Sequence, residues 1–254
     1  MVLNERFRKT EKNLGIIWTR FLEALFPRYC IYCGFDREGD GDFLCPGCME
    51  SIVFIKRPFC NCCGIPAEIT YDFPIDDFEF YLCRKNAFVF DRARSMGPYD
   101  SILKQMIHHF KYQGQLGTLS KTELLVKRYL EGLNESFEGF YVSPVPFHFG
   151  EMKERGFDQA FLIAQQVAGI LNLLMAVGLL RRVKMTEPQA KKTRGERNKN
   201  IKGTFEVDRP DLVKGMNILL VDDVFTTGAT VNEAARVIKR AKADKVHVFT
   251  MART

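Results

Sequence analysis

Hydrophobic positions along this chain follow two rhythms. Ile218, Leu219, Leu220 and Val221 form an unbroken apolar run closed by two acids, the pattern of a buried strand. Val231, Ala234, Ala235 and Ile238 follow at helical spacing and predict an amphipathic helix. The same alternation runs back along the chain from Phe88. Ile102, Leu103, Met106, Ile107 and Phe110 mark one helix face, with Asp100 or Ser101 as cap and Gly114 as stop. A second helix is expected over Ser120 to Leu133. Phe140, Tyr141 and Val142 read as a strand that ends where Pro144 and Pro146 forbid further pairing. Phe157, Ala160, Phe161, Ala164, Val167, Ala168 and Leu171 define a long helix. The apolar stretch from Val167 to Leu180 reads as its buried continuation. Strands near Phe205, Ile218 and Val246 complete an α/β pattern with a mostly parallel sheet. In such sheets ligands bind beyond the carboxyl ends of the strands, where the Pro144 loop and the segment after Asp223 both lie.

Composition narrows the class. The apolar share is that of a soluble globular protein, and no run reaches the ~18 apolar residues of a membrane span. Leu14 to Phe26 is apolar only at intervals, broken by Arg20 and Glu23. It lacks a signal-peptide layout and reads as a helix packed on the body, or as one resting peripherally on a membrane. The net charge of +6 is concentrated between Arg181 and Lys202, where only Glu187 and Glu196 oppose the bases. Glu68 to Glu79 leans acidic. A basic stretch is usually a solvated surface, yet this one precedes the central strand, which makes an anionic ligand or nucleic acid plausible.

All eight cysteines fall between Cys30 and Cys83. Cys30, Cys33, Cys45 and Cys48 make two CxxC knuckles, each giving half of a tetrahedral zinc site. Two disulfides are the alternative, disfavoured in a reducing cytoplasm. Cys60, Cys63 and Cys83, with Cys62, offer a less regular second set. Either a second zinc or a remnant without metal fits them. Four thiolates leave no open coordination position, so the zinc is expected to be structural.

The segment from Asp222 to Thr230 carries the chemistry. A strand running through a small-residue turn into a helix leaves N–H groups aimed outward at the positive helix end, where an anion can be held. Thr226, Thr227 and Thr230 add hydroxyls, and Gly228 and Ala229 let the backbone come close. No Gly-Lys-Ser/Thr follows, so this is not a Walker loop. Side chains on a regular strand alternate, so Asp222 and Asp223 make a poor acid/base pair, but at its end both can turn to a sugar's hydroxyls.

This run resembles the phosphoribosyl pyrophosphate (PRPP) signature of type I phosphoribosyltransferases. The wider order of motifs resembles the ComF (ComFC) family of phosphoribosyltransferase-like proteins. It comprises a double Cys-rich ribbon, Ile107 to Tyr112, Pro144-Val145-Pro146, Arg155 to Gln159, Pro188-Gln189 and Arg197 to Phe205. Two positions depart from that pattern: Asp158 stands for the family's Asn, and Phe80 for a cysteine. The resemblance implies a type I phosphoribosyltransferase-like fold at 87–254, behind a zinc-ribbon module at 29–86 and an N-terminal helix at 1–28. It implies Asp222 and Asp223 on the ribose hydroxyls and Thr226 to Thr230 on the 5-phosphate. Lys111, Arg155 and Arg197, with Asn200, would face the pyrophosphate, and Mg²⁺ would bridge its oxygens. It also implies a cytoplasmic role in single-stranded DNA handling during natural transformation, with DNA-uptake proteins as partners. The alternative is an active transferase that passes the phosphoribosyl group to a nucleobase or amine and releases pyrophosphate.

Overall fold

The computed structural model describes residues 29–35, 44–67, 79–85, 87–113, 117–147, 158–184 and 201–254; side chains at 82, 110–113 and 117–121 lie outside that description. Among the described residues the body is a parallel sheet of strands β1 (Arg92–Pro98), β2 (Phe140–Pro144), β3 (Leu174–Met175), β6 (Asn217–Phe225) and β7 (Lys245–Arg253). Their order across the sheet is β1-β7-β6-β2-β3, every pair parallel. A parallel neighbour needs a crossover, supplied by α5 (Gln159–Leu171) between β2 and β3 and by α7 (Ala229–Arg240) between β6 and β7.

The central apolar run behaves as a strand covered on both faces, and Ile218 to Val221 are all fully buried. Alternation divides them between two cores. Leu219 and Val221 pack with Ile163 and Val167 of α5 and with Leu125 and Val126 of α4 (Gly117–Leu133). Ile218 and Leu220 pack with Val231, Ala234 and Ile238 of α7. The helical spacing read after the strand is therefore the face that meets the sheet.

Two readings change, and one strand appears that was not read. The apolar stretch to Leu180 is not one helix: Asn172 adopts a left-handed conformation (φ 52°), its N–H closing on the carbonyls of Ala168 and Gly169. The chain then forms edge strand β3, pairing with Tyr141 and Val142. Phe205 belongs to a separate antiparallel ribbon of β4 (Leu180–Arg182) and β5 (Phe205–Val207), not to the main sheet. Its ring is buried on the α7 side of the body. Strand β1 had no readable signal, because Arg92, Arg94 and Ser95 interrupt its apolar residues. Arg94 and Ser95 are nonetheless buried. Ser95 shares a 2.7 Å hydroxyl bond with Thr250, and Arg94 pairs with Glu135. Helix α3 (Ser101–Gln113) lies where expected, and α4 begins at Gly117.

The cysteine module packs directly on the sheet edge. Ile55 donates to the Met96 carbonyl at 2.9 Å, and Ala93 donates to the Cys62 carbonyl at 2.6 Å. Gly64 (φ +68°) makes this approach possible, since a Cβ there would meet the Ala93 carbonyl oxygen at 2.5 Å. Arg94 reaches across the seam to the Asn61 carbonyl at 3.0 Å, and Arg253 to that of Cys63 at 2.6 Å. No described helix is long and apolar enough to cross a membrane.

Candidate functional site

Strand β6 carries Asp222 and Asp223 to its carboxyl end, both half-buried. Asp222 Oδ1 accepts from the Asp223 N–H at 2.9 Å, which turns that carboxylate along the backbone. The chain then reverses through Thr226 to Gly228. Gly228 is left-handed (φ +75°) and stands at the N-cap of α7 without a capping side chain. Thr227 Oγ1 accepts from the Ala229 N–H at 3.3 Å. Helix geometry leaves the N–H groups of Thr230 and Val231 without intrahelical partners, and no acid stands in the first turn. This end is an electropositive cradle of N–H groups and threonine hydroxyls.

The turn after β2 lies alongside. Pro144 is in register with Val221, and Val145 donates to the Val221 carbonyl at 2.8 Å, so the Ser143 to Pro146 loop flanks the acids. Asp158 joins them. It caps α5, its Oδ1 accepting from the Phe161 N–H at 3.0 Å. Burial raises its pKa; bonds from the backbone of Phe161, Phe147 and Ala160 counter the rise, and the nearby Asp223 charge adds to it. Aspartate and asparagine cap helices about equally well, so the departure at this position preserves the local structure. Sequence reasoning missed Asp158 as a third acid beside the pair. The available signal was an acid immediately before a helical apolar rhythm.

Phe225 braces the underside of the loop. Its ring meets those of Phe88 and Phe90 edge-on at 6.0 and 6.1 Å, and the Arg253 guanidinium lies over it at 5.1 Å. Between this cluster and the cysteine module opens a cavity of about 210 Å³ whose lining includes Thr226, Thr227, Phe80, Phe88, Cys63 and Arg253. The loop at 226–228 and Cys63 of the second cysteine set thus line one cavity.

Cys30, Cys33, Cys45 and Cys48 place four sulfurs within 4.8 Å of one another. The Cys33 and Cys45 sulfurs are 3.7 Å apart, far beyond the ~2.05 Å of a disulfide. Burial opposes ionisation of Cys30, but backbone hydrogen bonds from Cys33, Cys45 and Tyr32 outweigh it and bring the thiol down to about 6. A four-sulfur cage with a ready thiolate fits structural zinc. Cys60, Cys63 and Cys83 form a second cluster of three sulfurs, all buried. Cys62 lies outside it, and the Phe80 N–H donates to Cys60 at 3.2 Å where a fourth ligand was expected. Arg253 is 7% exposed and, among the described residues, pairs with no carboxylate. Burial lowers its pKa, and the Cys63, Cys60 and Cys83 side opposes that. Zinc on three thiolates would leave one negative charge beside this guanidinium, so the buried cation also fits a metal there.

Other expected site residues are not brought to the loop by what is described. Lys111 is in α3, but its side chain lies outside the described residues, as do Arg155, Arg197 and Asn200. The N-terminal helix and most of the basic segment, including Pro188 and Gln189, are outside as well. His108 is exposed and His109 half-buried, its pKa lowered by burial and then by His108.

Family models match the chain twice: a double zinc ribbon domain over residues 21–85 and a phosphoribosyl transferase domain over 158–254. The chain is 27% identical to competence protein F of Haemophilus influenzae, across 88% of this chain and 96% of that one. It is 27% identical to competence protein ComFC of Bacillus subtilis (83% and 84% covered). It is 29% identical to the DNA utilization protein YhgH of Salmonella typhimurium (83% and 90% covered). A solved glutamine PRPP amidotransferase from B. subtilis aligns at 17% identity with a TM-score of 0.38, over 56% of this chain. This chain spans 30% of that enzyme's length.

Proposed function

Because the chain belongs to the ComF family, with a zinc ribbon ahead of a phosphoribosyl transferase domain, we propose that it binds PRPP with Mg²⁺ and takes part in handling single-stranded DNA during uptake. One observation carries the ligand half of this reading. The acids of β6, the Thr226 to Thr230 cradle and the Ser143 to Pro146 loop converge at the carboxyl ends of two adjacent parallel strands. The cradle takes the 5-phosphate. Asp222 and Asp223 accept hydrogen bonds from the ribose hydroxyls. The Ser143 loop, with Lys111, Arg155 and Arg197 from segments beyond the described site, takes the pyrophosphate. Asp158, Asp222 and Asp223 supply carboxylate oxygens of the kind a hard cation prefers. Bound Mg²⁺ would neutralise pyrophosphate charge. The competence and DNA-utilization relatives support the DNA half, and DNA-uptake proteins are the expected partners.

Calorimetric titration of PRPP and Mg²⁺ into the full chain tests the ligand. Binding that disappears in Asp222→Ala/Asp223→Ala supports it; no heat from the wild type overturns it.

The cavity beside Thr226 and Thr227 favours a second reading, in which its phenylalanine walls receive a nucleobase or amine acceptor. The bond from ribose C1 to pyrophosphate would break through an oxocarbenium-like state, a C1–N bond would form as the acceptor nitrogen lost its proton to solvent, and pyrophosphate would leave. The β6 acids would favour the developing positive charge. Pyrophosphate release with a panel of bases and amines tests this, and PRPP binding without turnover for any acceptor would sink it.

A further inference from the structure

We infer that the cleft between residues 54–59 of the cysteine module and the last turns of α4 is a subsite for one nucleotide of single-stranded DNA. The inference rests on the DNA half of the proposed function and gives it a location. The cleft holds about 340 Å³ and is lined by Phe54, Phe59 and Tyr129 together with Lys56, Arg57 and Arg128. Small-ligand pockets start at roughly 300 Å³, so this volume suits one base with its sugar and not a longer segment.

Charge and shape select the occupant. Lys56, Arg57 and Arg128 are exposed, and none pairs with a carboxylate among the described residues. The nearest acid in sequence on α4, Glu131, is engaged by Lys127 at 4.0 Å. Elsewhere on this surface cations do find acids, as Arg181 does in Glu206 and Arg209 in Asp211. Three cations around one cleft, none paired with a carboxylate among the described residues, attract a polyanion.

The floor is aromatic. Phe54 is half-buried and leaves part of its ring open, 6.0 Å from the Tyr129 ring. Arg57 is stacked over Phe59 at 5.1 Å, which holds its guanidinium as a planar, cationic surface. Arg94 covers Phe59 at 4.5 Å and is itself held by Glu135, so that wall is rigid. The Tyr129 hydroxyl is buried without a hydrogen-bond partner among the described residues. An open aromatic face beside a flat guanidinium and two further cations is the combination that stacks an unpaired base and holds its flanking phosphates. A duplex keeps its bases stacked inside and could offer the cleft only phosphates. An acidic peptide would satisfy the cations and leave the ring face unused.

The subsite also sits across the seam of two sequence regions. Phe54 to Phe59 come from the cysteine module, while Arg128 and Tyr129 come from α4. It forms only when the module is docked on the body.

Fluorescence anisotropy of labelled oligo(dT) with the full chain, measured across salt, tests the subsite. In the triple variant Lys56→Gln/Arg57→Gln/Arg128→Gln, the slope of log K against log salt should shrink by about 1.4, at ~0.7 for each of the two phosphates flanking the bound base. Phe54→Ala should weaken binding roughly 10-fold with the slope unchanged. Unchanged PRPP calorimetry in each variant shows that it folds. A duplex of equal length should compete poorly. Affinity and slope unchanged in the triple variant, while the wild type binds oligo(dT), would overturn the subsite alone. Equal competition by duplex would overturn the stacking role. No binding of oligo(dT) by the wild type would overturn the DNA reading along with the subsite.

Discussion

Replacing Gly228 with alanine should damage both the stability and the anion cradle, and the structure gives the size of the effect. Gly228 sits at φ +75°, a conformation that costs an L-residue about 1–2 kcal/mol. The new methyl would also meet Phe225 Cζ at 2.5 Å and Phe88 Cε1 at 2.9 Å. Those rings cannot swing aside cheaply. Phe225 is 3% exposed, and both rings are packed in one aromatic cluster with Phe90. Displacing packed side chains costs about 1–3 kcal/mol, for a total of about 2–5 kcal/mol. At ~2–4 °C per kcal/mol for a chain of this size, the melting temperature should fall by several degrees or more. Phe225 and Gly228 bracket Thr226 and Thr227, so relieving the clash also moves the cradle's donors. Urea denaturation and PRPP calorimetry read the two effects separately. Adding Phe88→Leu should recover part of the steric term and none of the backbone term. A Gly228→Ala protein within 0.5 kcal/mol of wild type, with unchanged PRPP affinity, would refute the close packing under the loop.

Three further outcomes follow from other parts of the molecule. The full chain should carry zinc at both clusters: Cys33→Ser should lose one metal by elemental analysis and Cys83→Ser the other, while Phe80→Cys should slow chelator release from the second. Zinc content indifferent to Cys83→Ser would refute the second site. Arg94→Met should destabilise by about 3–5 kcal/mol, because Glu135, bonded at 2.6 Å and buried, loses its main partner; Arg94→Met/Glu135→Leu should cost less than the two single changes added together. His247 packs on Phe140 at 4.7 Å, and burial, aided by Arg92, lowers its pKa to about 4. The unfolded chain, with a histidine pKa near 6.5, then binds the extra proton first, so stability should fall as pH drops from about 6.5 toward 4. His247→Leu should flatten that part of the curve, and identical pH profiles would refute the assignment.

The sequence by itself determined the parts whose physics is local. Four apolar residues closed by two acids and a Thr/Gly-rich turn read as a short strand covered on both faces, and helical spacing after the glycine places a helix behind it. Two CxxC pairs fix the chelate bite of a metal site over a few residues. These features need no distant partner to be recognised. Strand β1 needed one: Arg94 is tolerated in a buried strand only because Glu135, 41 residues away, meets it. The break at Asn172 turned on a left-handed backbone that an apolar count does not register. Nothing local marked Arg253 either. At the end of the last strand it reads as a surface base, and only the docking of Cys63 against β7 buries it between a cysteine cluster and the loop. The tertiary structure likewise decided that the cysteine module and the loop after β6 line one cavity. Residues 63 and 226 line that one cavity, and only the parallel order of the sheet, with the module closing its β1 edge, brings them to it.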